Sequence, residues 1–324
     1  MNVLVVGSSL FDAIISLEEN QHVTIDGDRV VFSLGDKIPI DIKSFAIGGN
    51  APNVASALHK LSVPSEIYTY LGIDPLSRYI KEQFDKEGIQ LYYEETNSPN
   101  GPLSLIFDFK TDRTIFSSHP EFSHAFDETK LTNIPTHIYL TSIGAVWEEA
   151  YEKVMSFAST NNISLAFSPG SSQMKDMNDT FIKTVHQSKM LFCNMEEARR
   201  IAQKLSIPTD NIKEMLLSLK NAGFEILSIT DGGNGAYAVE NNNTIHKMGA
   251  IPPQGHEKTG AGDAYAGAFL AAYVNEKPVT ECMKWGVLNA AGVMSKVGAH
   301  TGQLTRSEME GKVQRFEIQI ETIY

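Results

Sequence analysis

The sequence predicts an α/β protein in three layers, in which a doubly wound, mostly parallel sheet carries a small antiparallel β lid. Three observations predict this fold. The chain opens on an apolar strand, Val3–Val6, that runs into a glycine–serine loop. Apolar segments then alternate with helical periodicities in the βαβ manner. Two further segments alternate apolar and polar residues, which is the period of half-buried strands.

The main sheet and its helices follow from the alternation along the chain. Helical periodicity is present at 54–61 and at 76–84, and Gly88 follows the second helix as a residue that favours left-handed backbone. This order places helices on both faces of a parallel sheet. The remaining strands are predicted at 67–71, 137–140, 164–167, 190–193 and 225–230.

The lid is predicted from two segments that are far apart in the chain. Isoleucines alternate with polar residues at 38–42, and residues 103–109 repeat the pattern before a turn at 110–113. Two such segments can form one small sheet. We expect a single domain, 1–324, with the lid discontinuous over about 12–46 and 92–118.

Composition and charge exclude several classes of function. The chain has 27 Lys and Arg against 39 Asp and Glu, a net charge of −12 that repels phosphate backbones, so we expect no nucleic-acid partner. The longest apolar run, 264–274, is shorter than the roughly 20 residues that span a bilayer, so we expect no membrane anchor. The two cysteines lack metal-ligand spacing, which favours a reducing cytoplasm.

The strongest site motif is the run 258–269, which reads KTGAGDAYAGAF. Small residues uncover successive backbone N–H groups where a helix begins, and the helix dipole adds positive potential, so the run predicts an anion hole. Asp263 would repel a bound phosphate, but it could take the proton from an attacking hydroxyl. The alternative is that Asp263 only stabilises the first turn of the helix.

A second glycine motif, 48–55, reads GGNAPNVA. The paired Gly48 and Gly49 permit close approach of a ligand, and Asn53 can hydrogen-bond hydroxyl groups from the first turn of a helix. Pro52 in that turn is equally compatible with an ordinary junction between a loop and a helix.

Together the two motifs resemble the paired signatures of the ribokinase (PfkB carbohydrate kinase) family, and the resemblance extends over nearly the whole chain. It implies a ribokinase-like fold and transfer of the γ-phosphoryl group of ATP to a hydroxyl, expected to be primary, of a sugar or sugar derivative. Residues 7–12, GSSLFD, resemble the first-strand motif whose aspartate binds substrate hydroxyls. The implied catalytic residues are Asp263, Gly262, Ala261 and Gly260, and the implied acceptor residues are Asp12, Gly48, Gly49 and Asn53.

The resemblance also implies ATP and Mg²⁺ as cofactors. Residues 194–197, NMEE, match the family's Asn-x-x-Glu motif, which organises Mg²⁺, although the same spacing is also close to a helix capping box. Residues 230–235, TDGGNG, resemble a turn that touches ATP, although a Gly-rich hairpin needs no ligand. The implied ATP contacts are Asn194, Thr230, Gly232, Gly235, Thr259 and Asn289, with Mg²⁺ held indirectly through Asn194 and Glu197.

Two places depart from the family pattern. Glu257 stands where many members have the Asp of a monovalent-cation loop, so activation by K⁺ stays open, and the neighbouring Lys258 could approach the phosphates or lie in solvent. Leu10 replaces an Asn of ribokinase-like members and is similar to adenosine kinases, since an apolar group there favours a flat base. A nucleoside is therefore the main alternative acceptor.

Other classes of function have less support. A non-catalytic nucleotide- or sugar-binding sensor with the same fold would have no need of both Asp12 and Asp263. A dinucleotide-dependent oxidoreductase would carry Gly-x-Gly-x-x-Gly after the first strand, and a P-loop enzyme its own glycine motif, and the sequence has neither. A homodimer through the lid stays open, because lid sheets in this family often pair edge to edge.

Overall fold

A computed structural model describes residues 1–17, 22–27, 29–96, 100–109, 112–118, 125–252, 259–296, 298–317 and 319–323. The strands are β1 (Val3–Val6), β2 (Leu10–Ser16), β3 (Val23–Asp26), β4 (Arg29–Phe32), β5 (Asp41–Gly48), β6 (Ser65–Gly72), β7 (Gln90–Thr96), β8 (Leu103–Phe109), β9 (Asp112–Ser118), β10 (His137–Leu140), β11 (Ser164–Phe167), β12 (Met190–Asn194), β13 (Ile226–Thr230), β14 (Ala236–Val239), β15 (Ile245–Met248) and β16 (Ile320–Ile323). The helices are α1 (Asn50–Lys60), α2 (Pro75–Glu87), α3 (Glu148–Thr160), α4 (Ser171–Asp176), α5 (Asp179–Gln187), α6 (Met195–Lys204), α7 (Ile212–Asn221), α8 (Ala261–Val274), α9 (Val279–Met294) and α10 (Arg306–Arg315).

The central sheet has the strand order β16-β15-β14-β13-β12-β11-β10-β1-β6-β7. All pairings from β7 to β13 are parallel, and the three strands beyond β13 are antiparallel. Alternate residues of β1 enter two separate hydrophobic cores, one with α1, α8 and α9 and the other with α3, α5, α6 and α7. The predicted three-layer, doubly wound fold is confirmed.

The lid sheet has the strand order β5-β2-β8-β9. Its outer pairings, β2 with β5 and β8 with β9, are antiparallel, and the central pairing of β2 with β8 is parallel. A separate hairpin joins β3 and β4, whereas β7 pairs with β6 at the edge of the central sheet. The small predicted sheet is thus present, and it is contributed by four strands from two distant segments.

The predicted half-buried strand at 38–42 is wrong. Strand β5 begins only at Asp41, and the side chains of Ile40 and Ile42 are about half exposed, at 47% and 52%. The alternation there does not reflect a buried face, because none of the described helices or strands covers these two isoleucines. The predicted turn at 110–113 lies partly outside the described residues, and β9 already includes Asp112 and Arg113.

The predicted helices and glycine positions agree closely with the structure. Gly88 caps α2 with a left-handed φ of +71°, as its place after the helical periodicity predicts. Strands β13 and β14 form the expected antiparallel pair around the 230–235 turn. Within the described residues, no helix combines the length and the apolar character needed to cross a membrane.

Candidate active site

The site is built around the N-terminus of α8. Asp263 is the third residue of this helix, and Gly260 precedes it in a left-handed conformation with φ +73°. A Cβ on Gly260 would come within 2.6 Å of the Cβ of Ala299, so the turn into the helix requires glycine. Residues 264–272 of α8 are buried, which fixes the helix against the core. The carboxylate therefore occupies a rigid position beside uncovered backbone N–H groups.

Two amides from the first turns of α1 hold the carboxylate of Asp263. The Nδ2 of Asn53 donates to Oδ2 at 2.8 Å, and the Nδ2 of Asn50 donates to Oδ1 at 3.1 Å. Burial raises the pKa of Asp263 to about 6, against the effect of these two hydrogen bonds and with a further contribution from the charge of Glu197. Asp263 is thus ionised at neutral pH and basic enough to accept a proton from a hydroxyl.

Gly48 leaves the space that the Asp12 carboxylate occupies, and Gly49 lets the chain pass close to the backbone of Ser8. The Asp12 side chain lies on β2 and is only 6% exposed. A Cβ on Gly48 would lie 1.9 Å from its Oδ2, and a Cβ on Gly49, where φ is +100°, would lie 2.5 Å from the carbonyl oxygen of Ser8. Glycine is therefore required at both positions, at Gly48 by the Asp12 carboxylate and at Gly49 by its positive φ and the backbone of Ser8.

A cavity of about 390 Å³, which we call the lid-side cavity, joins these groups. Gly49, Asn53 and Asp263 line it from the central domain, and Asp12 lines it from β2 of the lid sheet. The lid sheet closes the opposite side of the cavity. Residues that pair across β8 and β9 lie on the same face of the lid sheet, and this face lines the cavity. The lining residues from β8 and β9 are Ser104, Ile106, Arg113, Ile115 and Ser117. The cavity thus faces both the carboxylate of Asp12 and that of Asp263.

Two further cavities continue from the lid-side cavity. A bridging cavity of about 150 Å³ shares Asp263 and Glu197 with it. A turn-side cavity of about 450 Å³ shares Asn194, Thr230 and Gly262 with the bridging cavity. The remaining lining of the turn-side cavity is mostly small or apolar, as a flat base requires: Gly232, Gly233, Gly235, Ala236, Ala250, Ile251, Ala261, Tyr265, Val287, Ala290 and Met294.

The Asn194–Glu197 pair forms the capping box of α6. The Oδ1 of Asn194 accepts from the backbone N–H of Glu197, and the Oε2 of Glu197 accepts from the backbone N–H of Asn194, both at 2.9 Å. The carboxylate of Glu197 also lines the lid-side and bridging cavities, and burial raises its pKa. A cation beside this carboxylate would offset the cost of burying it. The capping and cation-binding interpretations are therefore compatible.

The residues fit Mg²⁺ only as an indirectly held ion. Among the residues that the structure describes, no group of three or more His, Cys, Asp or Glu side chains is placed to bind a metal ion. Mg²⁺ commonly keeps several waters and binds through one or two carboxylates together with substrate phosphates. Glu197 supplies one such carboxylate at the junction of the cavities.

Comparisons with known proteins all indicate one protein family. A family profile described as pfkB family carbohydrate kinase matches residues 3–306. The chain belongs to this family. A nucleoside kinase of Methanocaldococcus jannaschii is 26% identical over 279 residues, covering 84% of this chain and 86% of the relative. A ribokinase of Haemophilus influenzae is 22% identical over 269 residues, covering 81% and 86%.

Solved structures agree with the fold of this pfkB-family kinase. The crystal structure of the Methanocaldococcus jannaschii nucleoside kinase superposes with a TM-score of 0.73 at 20% identity, over 97% of this chain and 98% of that chain. The Arabidopsis thaliana ribokinase complexed with ribose and ATP gives a TM-score of 0.74 at 18% identity, over 97% and 99%. At this level of identity the likeness shows the ribokinase-like fold.

Most residues predicted for the site of this kinase line the three cavities, whereas Gly48 and Asn289 line none of them. Thr259 lines the lid-side cavity rather than the turn-side cavity. The Asn289 side chain is fully buried, donating to the carbonyl oxygen of Ala264 and accepting from the backbone N–H of Leu304, both within 2.9 Å. It joins α8 to the segment before α10. Glu257 and Lys258 lie outside the described residues.

The sequence reasoning missed several residues of the site. Asn50 lies within the second glycine motif, so its hydrogen bond to Asp263 could have been anticipated from the helix start. Ser104 and Ser117 reach the lid-side cavity through strand register, which a sequence pattern does not determine. His300 has no motif at all, yet it contacts Asn53.

Proposed function

We propose that this chain transfers the γ-phosphoryl group of ATP to a primary hydroxyl of a sugar or sugar derivative bound in the lid-side cavity. One observation carries the proposal. Asp263 lines both the lid-side cavity and the bridging cavity, at a helix N-terminus that favours anions. An acceptor hydroxyl on one side and a phosphate on the other would therefore meet at this carboxylate.

The mechanism follows from these positions. Asp263 takes the proton from the acceptor hydroxyl as the hydroxyl oxygen attacks the γ-phosphorus in line, and the bond from the γ-phosphorus to the β–γ bridging oxygen breaks to release ADP. The backbone N–H groups of Ala261, Gly262 and Asp263 stabilise the charge on the transferring group. Asp12, with Asn53, fixes the acceptor. When bound, Mg²⁺ supplies positive charge to the phosphates, and Glu197, together with Asn194, would hold it through water.

The lining of the lid-side cavity supports a hydroxylated acceptor. Hydroxyl side chains line it from the central domain as well as from the lid, and hydroxyls of a sugar can pair with them. A nucleoside is the second candidate, because Leu10, Ile106 and Ile115 offer the cavity an apolar surface that suits a flat base. Arg113 also lines the cavity, so acidic sugars belong among the acceptors to test.

A coupled assay of ADP release tests the proposal. Pentoses, hexoses, sugar acids, inositols and nucleosides are screened with Mg²⁺ and ATP, each with and without K⁺. We expect ADP release that depends on one class of acceptor, and the K⁺ comparison resolves the open cation dependence at Glu257. ATP binding with no ADP release for any acceptor would support a non-catalytic sensor instead.

We also propose a homodimer through the lid. The side chains of Ile42, Phe45 and Phe116 on the lid sheet are about half exposed, and a second copy of the lid would cover them. Light scattering after size exclusion should give twice the chain mass for the wild type. The variant Phe45→Glu with Phe116→Glu should elute as a monomer, and a wild-type monomer at micromolar concentration would contradict the dimer.

A further inference from the structure

A line of polar contacts leads from Asp263 through α1 to the segment after α9. The Nδ2 of Asn53 donates to Asp263, and the Nε2 of His300 lies 3.0 Å from the Oδ1 of Asn53. The Oε1 of Glu87 lies 3.6 Å from the Nδ1 of His300. Asn53 is 4% exposed and the His300 side chain 16%, so water competes little for these groups.

The orientation of the Asn53 amide decides what it offers to Asp263. A rotation of the amide by about 180° exchanges its donor and its acceptor. In the rotated form the Oδ1 of Asn53 would face the carboxylate, and two oxygens carrying negative charge would repel. Because Nδ2 donates to Asp263, Oδ1 must accept, so the Nε2 of His300 must carry a hydrogen.

We infer that His300 is a positioning residue for phosphoryl transfer, which fixes the Asn53 amide so that it holds the carboxylate of Asp263. This inference rests on the proposed role of Asp263 as the base. His300 does not line any of the three cavities. It therefore acts on Asp263 only through the Asn53 amide.

The alternative is a purely structural role for His300. Its segment is anchored to α1 by two other hydrogen bonds, from the Nζ of Lys60 to the carbonyl oxygen of His300 and from the Nε2 of Gln303 to the carbonyl oxygen of Asn53. Both bonds are accepted by backbone carbonyl oxygens, so they do not orient the side-chain amide of Asn53. Lys60→Met therefore serves as a matched control that loosens the same segment without removing the imidazole.

A double-mutant cycle distinguishes the two roles. His300→Ala should lower kcat about tenfold, with the KM for ATP unchanged, because one orienting hydrogen bond is lost. In an Asn53→Ala background the same change should have no further effect on kcat. His300→Gln, which keeps a side-chain donor, should recover most of the rate, and Lys60→Met should leave kcat within about twofold of wild type. Equal falls in kcat in both backgrounds, or none in either, would overturn the inference.

A measurement on the unmutated protein needs neither turnover nor a stable variant. NMR of isotope-labelled histidine should find a hydrogen on the Nε2 of His300 at pH 8. A neutral ring protonated only on Nδ1 would overturn the inference, because Nε2 could not donate to Asn53. Absence of acceptor-dependent ADP release in the wild type would instead refute the proposed function. The NMR result would still stand, because it does not depend on turnover.

Discussion

Replacing Asp263 by Asn should remove turnover and raise the stability of the folded protein at pH 8. The pKa of Asp263 is raised from 3.8 to about 6, chiefly by burial. At 1.36 kcal/mol for each pKa unit, carrying the charge in the folded state costs about 3 kcal/mol of the free energy of unfolding above pH 6. As the pH falls from about 6 past the unfolded-state pKa of 3.8, the group becomes protonated in the folded and then in the unfolded chain, so this cost disappears.

Denaturation by urea at pH 8 and at pH 4 measures the effect. The free energy of unfolding of Asp263→Asn, minus that of wild type, should be larger at pH 8 than at pH 4 by about 2.5 kcal/mol, because the unfolded chain is still partly ionised at pH 4. The introduced amide also rearranges hydrogen bonds, but it does so at both pH values. Its contribution to the free energy of unfolding therefore cancels when the two pH values are compared. Asp85→Asn, which changes an exposed carboxylate on α2, is the control and should show no such difference. An identical stability difference at both pH values would refute a buried charge at Asp263.

Three further results are expected. The kcat/KM of the wild type should fall as the pH is lowered through about 6, because protonated Asp263 cannot act as a base, and a flat profile down to pH 5 would contradict this. Gly48→Ala places a Cβ 1.9 Å from the Asp12 carboxylate and should raise the acceptor KM at least about tenfold with the ATP KM unchanged in steady-state kinetics. Gly235→Ala, at φ +95° and 1.9 Å from the carbonyl oxygen of Met248, should raise the ATP KM and lower the free energy of unfolding by about 2 kcal/mol in urea.

The central sheet could be predicted because its signals are local. The first strand runs into Gly7 and β12 ends at Asn194, the cap of α6, and the order of strands and helices leaves little choice of topology. The lid was harder to predict because its edge strands, β5 and β9, are largely exposed and carry no clear buried face. The isoleucines at 38–42 alternate without a core to cover them, so their pattern placed a strand too early.

The candidate site was predictable where glycine is required by the backbone and unpredictable where side chains meet across the fold. Gly260 and Gly49 both adopt positive φ, directly before the helices that carry Asp263 and Asn53. The hydrogen bonds of Asn289 depend on the packing of α8 against α9, which no motif encodes, and they occupy the side chain expected at ATP. His300 reaches Asn53 from the opposite end of the chain, so only the tertiary structure brings them together.

Acceptor-dependent ADP release by wild type and by Asp263→Asn tests the central claim most directly. We expect the wild type to release ADP with at least one sugar or nucleoside. Asp263→Asn should bind ATP with similar affinity and lose about 10²- to 10⁴-fold in kcat, the usual contribution of a general base. Turnover of Asp263→Asn at the wild-type rate would contradict the claim that Asp263 accepts the proton of the attacking hydroxyl.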